Sequence, residues 1–171
     1  MAYFDLTTIL SQAQAITTTA DSTNVFDITG AGVGNAPAMI GAGGINTAIG
    51  VDFGSGDGMA MPQVFIAVTT AGTGAGTISF SLKAAPDSGT YTEGTYTTLY
   101  TSNAFVGTTF LVGNVYSFNI PPIVPAEKLP RFYKLTYTVS GSATASFTAD
   151  ILLNAPSLRI ATLYGNNYIS I

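Results

Sequence analysis

Two stretches of this 171-residue sequence place carboxylates near enough along the chain to act as pairs. Asp52 and Asp57 sit in Val51-Asp52-Phe53-Gly54-Ser55-Gly56-Asp57-Gly58, and Asp87 and Glu93 flank Ser88-Gly89-Thr90-Tyr91-Thr92. A calcium loop needs acidic or amide side chains at its first, third and fifth positions and a closing Glu. Here the third position is Gly54 and no Glu follows, so a flexible turn is the reading. The 87–93 pair would need a sugar-binding cleft to work as a glycosidase pair, and the chain has no Trp to line one. It reads as a pair of solvated turn acids.

The remaining candidates are weaker still. Gly72-Thr73-Gly74-Ala75-Gly76-Thr77 lacks the sixth-position Gly and the Lys-Ser/Thr of the nucleotide fingerprints. It also opens a strand where a phosphate cradle opens a helix, so it reads as a hairpin turn. Arg131 and Lys134, with Lys128 beside Glu127, are the one cationic concentration, suited to ion pairs or a protein contact. Tyr91, Tyr96 and Tyr100 lie at or near a turn and offer rings for sugar stacking, though core packing is the ordinary use of aromatic residues at alternating positions.

Composition narrows the chemistry further. There is no His and no Cys, so conventional zinc and iron–sulfur sites, His-dependent nucleophiles and disulfides are excluded. Five Lys and Arg stand against nine Asp and Glu, a net charge of −4, which argues against a nucleic-acid partner. Charged residues make up 8% of the chain, against about 25% in an ordinary domain. Small polar residues fill the deficit, 25 Thr and 19 Gly among them. No apolar run reaches the roughly 18 residues of a membrane helix, and no signal peptide is visible at Met1–Asp5. The expectation is a protein that is not an enzyme, takes no cofactor or metal, and touches neither nucleic acid nor membrane.

The elements that would position these residues are strands. Period-2 alternation, the repeat of a half-buried strand, runs through Ile78-Phe80-Leu82, Tyr116-Phe118-Ile120, Leu135-Tyr137-Val139 and Ala145-Phe147-Ala149-Ile151-Leu153. Val64 to Val68 is apolar throughout, as in a strand covered on both faces. The pattern predicts about eight strands, over 11–18, 22–29, 62–69, 76–84, 95–101, 114–120, 131–139 and 143–153, in an all-β sandwich or barrel. Residues 30–61 form a long glycine-rich insert with ten of the 19 Gly, and 121–130 carry four Pro. The domain is expected over 1–154, with 155–171 as an apolar C-terminal arm packing on the protein itself or on a neighbour.

Three segments carry a family resemblance: Tyr3-Phe4-Asp5-Leu6-Thr7-Thr8 continuing through Leu10–Thr17 to Ser22–Asp27, then Leu82-Lys83-Ala84-Ala85-Pro86-Asp87, and then Leu129-Pro130-Arg131-Phe132-Tyr133-Lys134 running on to Gly141. They resemble the cement (decoration) proteins of tailed-phage capsids of the Bordetella-phage podovirus type. The resemblance covers about residues 1–153 and brings no catalytic residues. The glycine-rich insert and the tail are longer than it leads one to expect.

It implies a single jelly-roll-like antiparallel β-sandwich, made in the host cytoplasm, that binds the outer capsid surface of the virion. Its partners would be the major capsid protein and itself, as a homodimer or homotrimer. Subunit contacts are expected from Tyr3 and Phe4, from Met39, Ile40, Phe53, Met59 and Met61 of the insert, and from Leu158, Ile160, Leu163, Tyr164, Tyr168 and Ile169 of the tail. Two other classes fit a charge-poor sandwich: a glycan- or receptor-binding module on a virion or cell surface, and a self-assembling virion subunit.

Overall fold

The computed structural model describes residues 8–27, 62–89, 92–120 and 130–152. The strands are β1 (Ile9–Ile16), β2 (Ala20–Asp21), β3 (Phe26–Asp27), β4 (Gln63–Thr73), β5 (Thr77–Ala85), β6 (Thr97–Thr101), β7 (Phe105–Val106), β8 (Val115–Asn119), β9 (Phe132–Ser140) and β10 (Thr144–Leu152). A single 3-10 turn, Gly107–Thr109, follows β7, and no α-helix occurs among the described residues. Each predicted strand is present. The 22–29 stretch is the most altered: of its described residues, 22–27, Phe26–Asp27 form β3, and the short β2 precedes them. Ser22 is the cause. Its N–H still donates to the Leu135 carbonyl at 2.6 Å, but its Oγ accepts the Leu135 N–H at 3.1 Å and donates to the Asn24 carbonyl at 2.8 Å, so a side-chain bond stands in for the return ladder bond.

Two antiparallel sheets pack into a sandwich. One has the order β1-β10-β4-β8; the other has β2-β9-β5-β6, with β3 also on β9 and β7 also on β5. With β2/β3 and β6/β7 each counted as one position, there are eight. The first pairs the eighth, the second the seventh, the third the sixth and the fourth the fifth. Such nested antiparallel pairs, rolled into two sheets, give the jelly-roll order.

Alternation aims one face of each strand inward. Val64, Ile66, Val68, Ile78, Phe80, Leu82, Leu135, Tyr137, Phe147 and Ile151 are buried between the sheets. Phe80 lies at the centre, with the Phe147 ring at 5.3 Å and nearly perpendicular, and Phe110 and Tyr137 each at 6.0 Å. Edge-to-face contacts of this kind add about 0.5–1.5 kcal/mol per pair to the burial of apolar area. Val64–Val68 departs from expectation. Its outward residues Phe65 and Ala67 are half-exposed, so this strand is fully buried on one face only.

The core also holds one polar chain. The Tyr137 hydroxyl donates to Ser11 Oγ at 2.8 Å, and Ser11 donates to Gln14 Oε1 at 2.7 Å. A bulge makes this possible. Register passes from Ser11↔Ala149 to Gln14↔Phe147, one residue too many on β1, with Ala13 at φ 47° and its N–H on Thr148 Oγ1.

Because neighbouring strands alternate in direction, the sandwich has two distinct ends. At the apex lie the short turns Thr17–Thr19, Gly74–Gly76 and Gly141–Ala143, and the longer 102–114 connection that contains β7 and the 3-10 turn. The base gathers Thr8, Asp27, Pro62, Ala85, Ile120, Arg131 and the end of β10. Backbone bonds there join Ile151 to Thr8, Ile120 to Pro62 and Arg131 to Ala85, and Asp27 pairs with Phe132.

Candidate functional site

The charges that the sequence scatters are collected by the fold at the base. The described charged residues are Asp21, Asp27, Lys83, Asp87, Glu93, Arg131, Lys134 and Asp150, and all lie at or below the row in which Asp21 faces Thr136. Arg131 holds the corner. Its Nε and Nη2 donate to the two oxygens of the buried Asp27, each at 2.9 Å, and its Nη1 donates to Asp87 Oδ2 at 2.6 Å. The guanidinium also stands 5.0 Å from the centre of the Phe132 ring. Hydrogen bonding to Asp27, chiefly, raises the Arg131 pKa and keeps it cationic.

Asp87 is fully employed as well. Its Oδ1 accepts the N–H groups of Gly89 and Thr92, which with the Arg131 bond hold its pKa below the ordinary carboxylate value. Glu93 forms a backbone bridge with Asp87 across the hairpin but accepts its own bond, from the Tyr96 hydroxyl at 2.8 Å. The two acids therefore serve different partners instead of facing a shared substrate position.

A second cluster covers the outer face of the β9 sheet. Lys134 Nζ lies 2.7 Å from Asp21 Oδ2 and 3.9 Å from the centre of the Tyr96 ring, and Thr136 Oγ1 donates to Asp21 Oδ1 at 2.6 Å. Lys83 is directly opposite Lys134 across the β5–β9 pair. Like charges in that position repel, and Asp21 answers both. Burial works against ionisation of Asp21, but the bonds from Lys134 and Thr136 outweigh it and lower its pKa. The Tyr96 ring is thus engaged by Lys134, while Tyr100 stacks on Phe118 with centroids 4.3 Å apart. Tyr91 lies outside the described residues.

The apex is built from backbone instead. A Cβ on Gly74 would overlap the Ser142 carbonyl oxygen, and one on Gly72 would overlap that of Gly107. The glycines of the 72–77 stretch are there so that three turns can close on one another. Beside them, Leu111 is 60% and Val112 65% exposed. They sit in a tight turn closed by the Asn114 N–H on the Leu111 carbonyl, with Gly113 at φ 87° and tied to the Val68 carbonyl. Together with Tyr100, Val106 and Val115 they are the exposed large apolar residues among those described, and all fall within residues 100–115. Sequence reading missed this patch. Its signal was present: residues 94–126 contain no Asp, Glu, Lys or Arg.

The thirteen expected contact residues (Tyr3, Phe4, Met39, Ile40, Phe53, Met59, Met61, Leu158, Ile160, Leu163, Tyr164, Tyr168 and Ile169) lie outside the described residues, as do Asp52, Asp57, Glu127 and Lys128. The described residues that flank these segments, Thr8, Asp27, Pro62, Ile120, Pro130 and Leu152, all stand at the base. Among the described residues no group of three or more acidic side chains is placed to hold a metal.

Compared with known protein families, the chain matches the family model described as Bbp16 over residues 10–151, from β1 into β10. No curated protein matches it.

Proposed function

The chain belongs to the Bbp16 family, and from that premise we propose that it is a non-enzymatic structural protein of a tailed-phage virion, a cement protein. In this reading it binds the outer surface of an icosahedral shell as a small oligomer and bridges major capsid protein subunits. The observation that carries the reading is the family match over residues 10–151, under a name consistent with a Bordetella phage protein. The jelly-roll strand order agrees with what the resemblance to podovirus cement proteins implies.

Physical chemistry supports the assignment. A protein that binds only the assembled shell stabilises it by mass action, and copies that engage several subunits gain avidity. The buried core of such contacts is depleted in charge. An uncharged flank carrying Tyr100, Leu111, Val112 and Val115 suits that role.

The test is a mixing experiment. Purified protein is added to empty expanded capsids that lack it, and bound stoichiometry and shell melting temperature are followed. Saturation at a fixed ratio to the capsid subunit, with a raised melting temperature, is the expected result. Absence of saturable binding sinks the proposal. Ordered polymers formed by the purified protein alone would favour a self-assembling virion subunit instead.

A further inference from the structure

We propose that the connection between β5 and β6, described over residues 86–89 and 92–96, is a clasp that opens as a unit while the sandwich stays folded. Arg131 and Lys134 are the two hooks that keep it shut. The inference goes beyond the cement reading and is tested without any shell.

The clasp is bonded mainly to itself. The Ser88 N–H donates to the Thr92 carbonyl and the Gly94 N–H to the Pro86 carbonyl, each at 2.9 Å. Asp87 Oδ1 accepts the N–H groups of Gly89 and Thr92, Asp87 and Glu93 form a backbone bridge, and the Tyr96 hydroxyl donates to Glu93. None of the described clasp residues belongs to the buried core. The ladder to the sheet stops at the hinge, where Ala84 faces Thr97 and the Arg131 N–H donates to the Ala85 carbonyl at 2.8 Å.

Among the described residues, one ion pair and one cation–ring contact join the clasp to the rest of the molecule. Arg131 Nη1 donates to Asp87 Oδ2 at 2.6 Å, and Lys134 Nζ lies 3.9 Å from the centre of the Tyr96 ring. Each hook is fixed from behind by an acid of the β2/β3 edge. Asp27 of β3 accepts two bonds from Arg131, and Asp21 of β2 pairs with Lys134. The cations therefore stay with the sandwich when the clasp leaves. The Asp87 side chain is 30% exposed. Partly exposed ion pairs hold weakly, as do exposed cation–π contacts, and a segment with few buried apolar contacts opens at a lower free energy than the whole fold.

Acid reaches both hooks. Asp87 forms one directly. In the other, Asp21 places Lys134, which has Lys83 opposite it, and Glu93 places Tyr96. The bonds from Gly89, Thr92 and Arg131 hold the Asp87 pKa below 3.8, so its contact is whole above that value and is lost as pH falls through the lower folded value. Opening turns Lys134 and the Nη1 edge of Arg131 to solvent, two of the three cations among the described residues. A carboxylate from another molecule can then take the place of Asp87, and by linkage such a molecule favours the open form.

The experiment uses the full chain, which has no Cys of its own. Spin labels are attached through Thr95→Cys in the clasp and Ser140→Cys about 20 Å along β9 from Lys134, both exposed positions. Excess unlabelled chain confines the pulsed-dipolar distance to one molecule, and far-UV circular dichroism serves as the fold control. At about pH 7 the labelled protein should give one narrow distance, and at about pH 3 it should lose that distance before the dichroism falls. Asp87→Asn, which keeps an acceptor oxygen for Gly89 and Thr92, and Tyr96→Leu should each widen the distance at neutral pH, and the double variant should abolish it. If the double variant does not fold, the two single variants decide. A narrow distance kept by the folded variants overturns the proposal, as does a labelled protein that loses the distance in acid only together with its dichroism.

Discussion

The apex and the base of this sandwich are held by different physics. At the apex, backbones meet directly because Gly72 and Gly74 leave no side chain between turns, and no charged residue is present among those described. At the base, Arg131 ties the end of β3 at Asp27 to Asp87 beyond β5, and Lys134 pairs with Asp21 of β2. Disturbing the apex should therefore be a steric event, insensitive to pH. Disturbing the base should be electrostatic. Among the described residues the ion pairs of Arg131 and Lys134 employ Asp21, Asp27 and Asp87 with one another, and the exposed large apolar side chains lie on the uncharged flank.

The sharpest way to break this comparison is Arg131→Met. It removes the cation from the buried Asp27 carboxylate, and losing one partner of a buried pair typically costs about 3–5 kcal/mol. Denaturant unfolding measures it. The double variant Arg131→Met/Asp27→Leu should recover much of the loss, because an apolar replacement of a buried pair is often neutral. If the single variant costs less than about 1 kcal/mol, the base is not held by this corner. Next comes Gly74→Ala at the apex. It meets the Ser142 carbonyl and adds a Cβ at φ 85°. Overpacking of about 1–3 kcal/mol and left-handed strain of about 1–2 kcal/mol give an expected loss near 3 kcal/mol in the same assay.

A pH series separates the ends without any large structural change. The folded pKa values of Asp21 and Asp87 lie below their ordinary value of 3.8. Their stabilisation is then complete above that value and is lost as pH falls through the lower folded values. Melting temperature should hold from pH 7 to about 5 and drop below about 4. Gly74→Ala should lower the whole curve without altering its shape, whereas Asp21→Asn should flatten its acid limb. Identical acid limbs in wild type and Asp21→Asn would remove the Lys134 cluster from the account.

These differences also explain how much of the molecule was legible in its sequence. Strands such as 76–84 and 131–139 were legible within a residue or so, because alternation about Phe80 and Tyr137 is a local property. The split at Ser22 was not, since it depends on a hydroxyl reaching Leu135 across 113 positions. The bulge at Ala13 was hidden because nothing in Gln12-Ala13-Gln14 announces a positive φ. Gly72–Gly76 could be read as a turn, but the reason for so many glycines lies in Gly107 and Ser142, far along the chain. The ion pairs were foreseen as a cluster around Arg131 and Lys134, yet their acids, Asp27 and Asp21, come from another strand position. The apolar patch was overlooked because Leu111 and Val112 follow no alternation, and an apolar residue without a period is ordinarily assigned to the core.

The smallest expected effect on stability is the most informative about function. Leu111→Ser combined with Val112→Ser changes two side chains that are mostly in solvent, so unfolding free energy should move by no more than about 0.5 kcal/mol. Arg131→Met does the reverse, weakening the fold while leaving the uncharged flank intact. If that flank is where partners dock, the double serine variant should lose occupancy on shells while melting like wild type, and Arg131→Met should still bind at temperatures where it is folded. Equal binding by wild type and the serine variant would move the partner surface away from this flank, with the base, where the described chain ends at Thr8, Asp27, Pro62 and Leu152, the next surface to test.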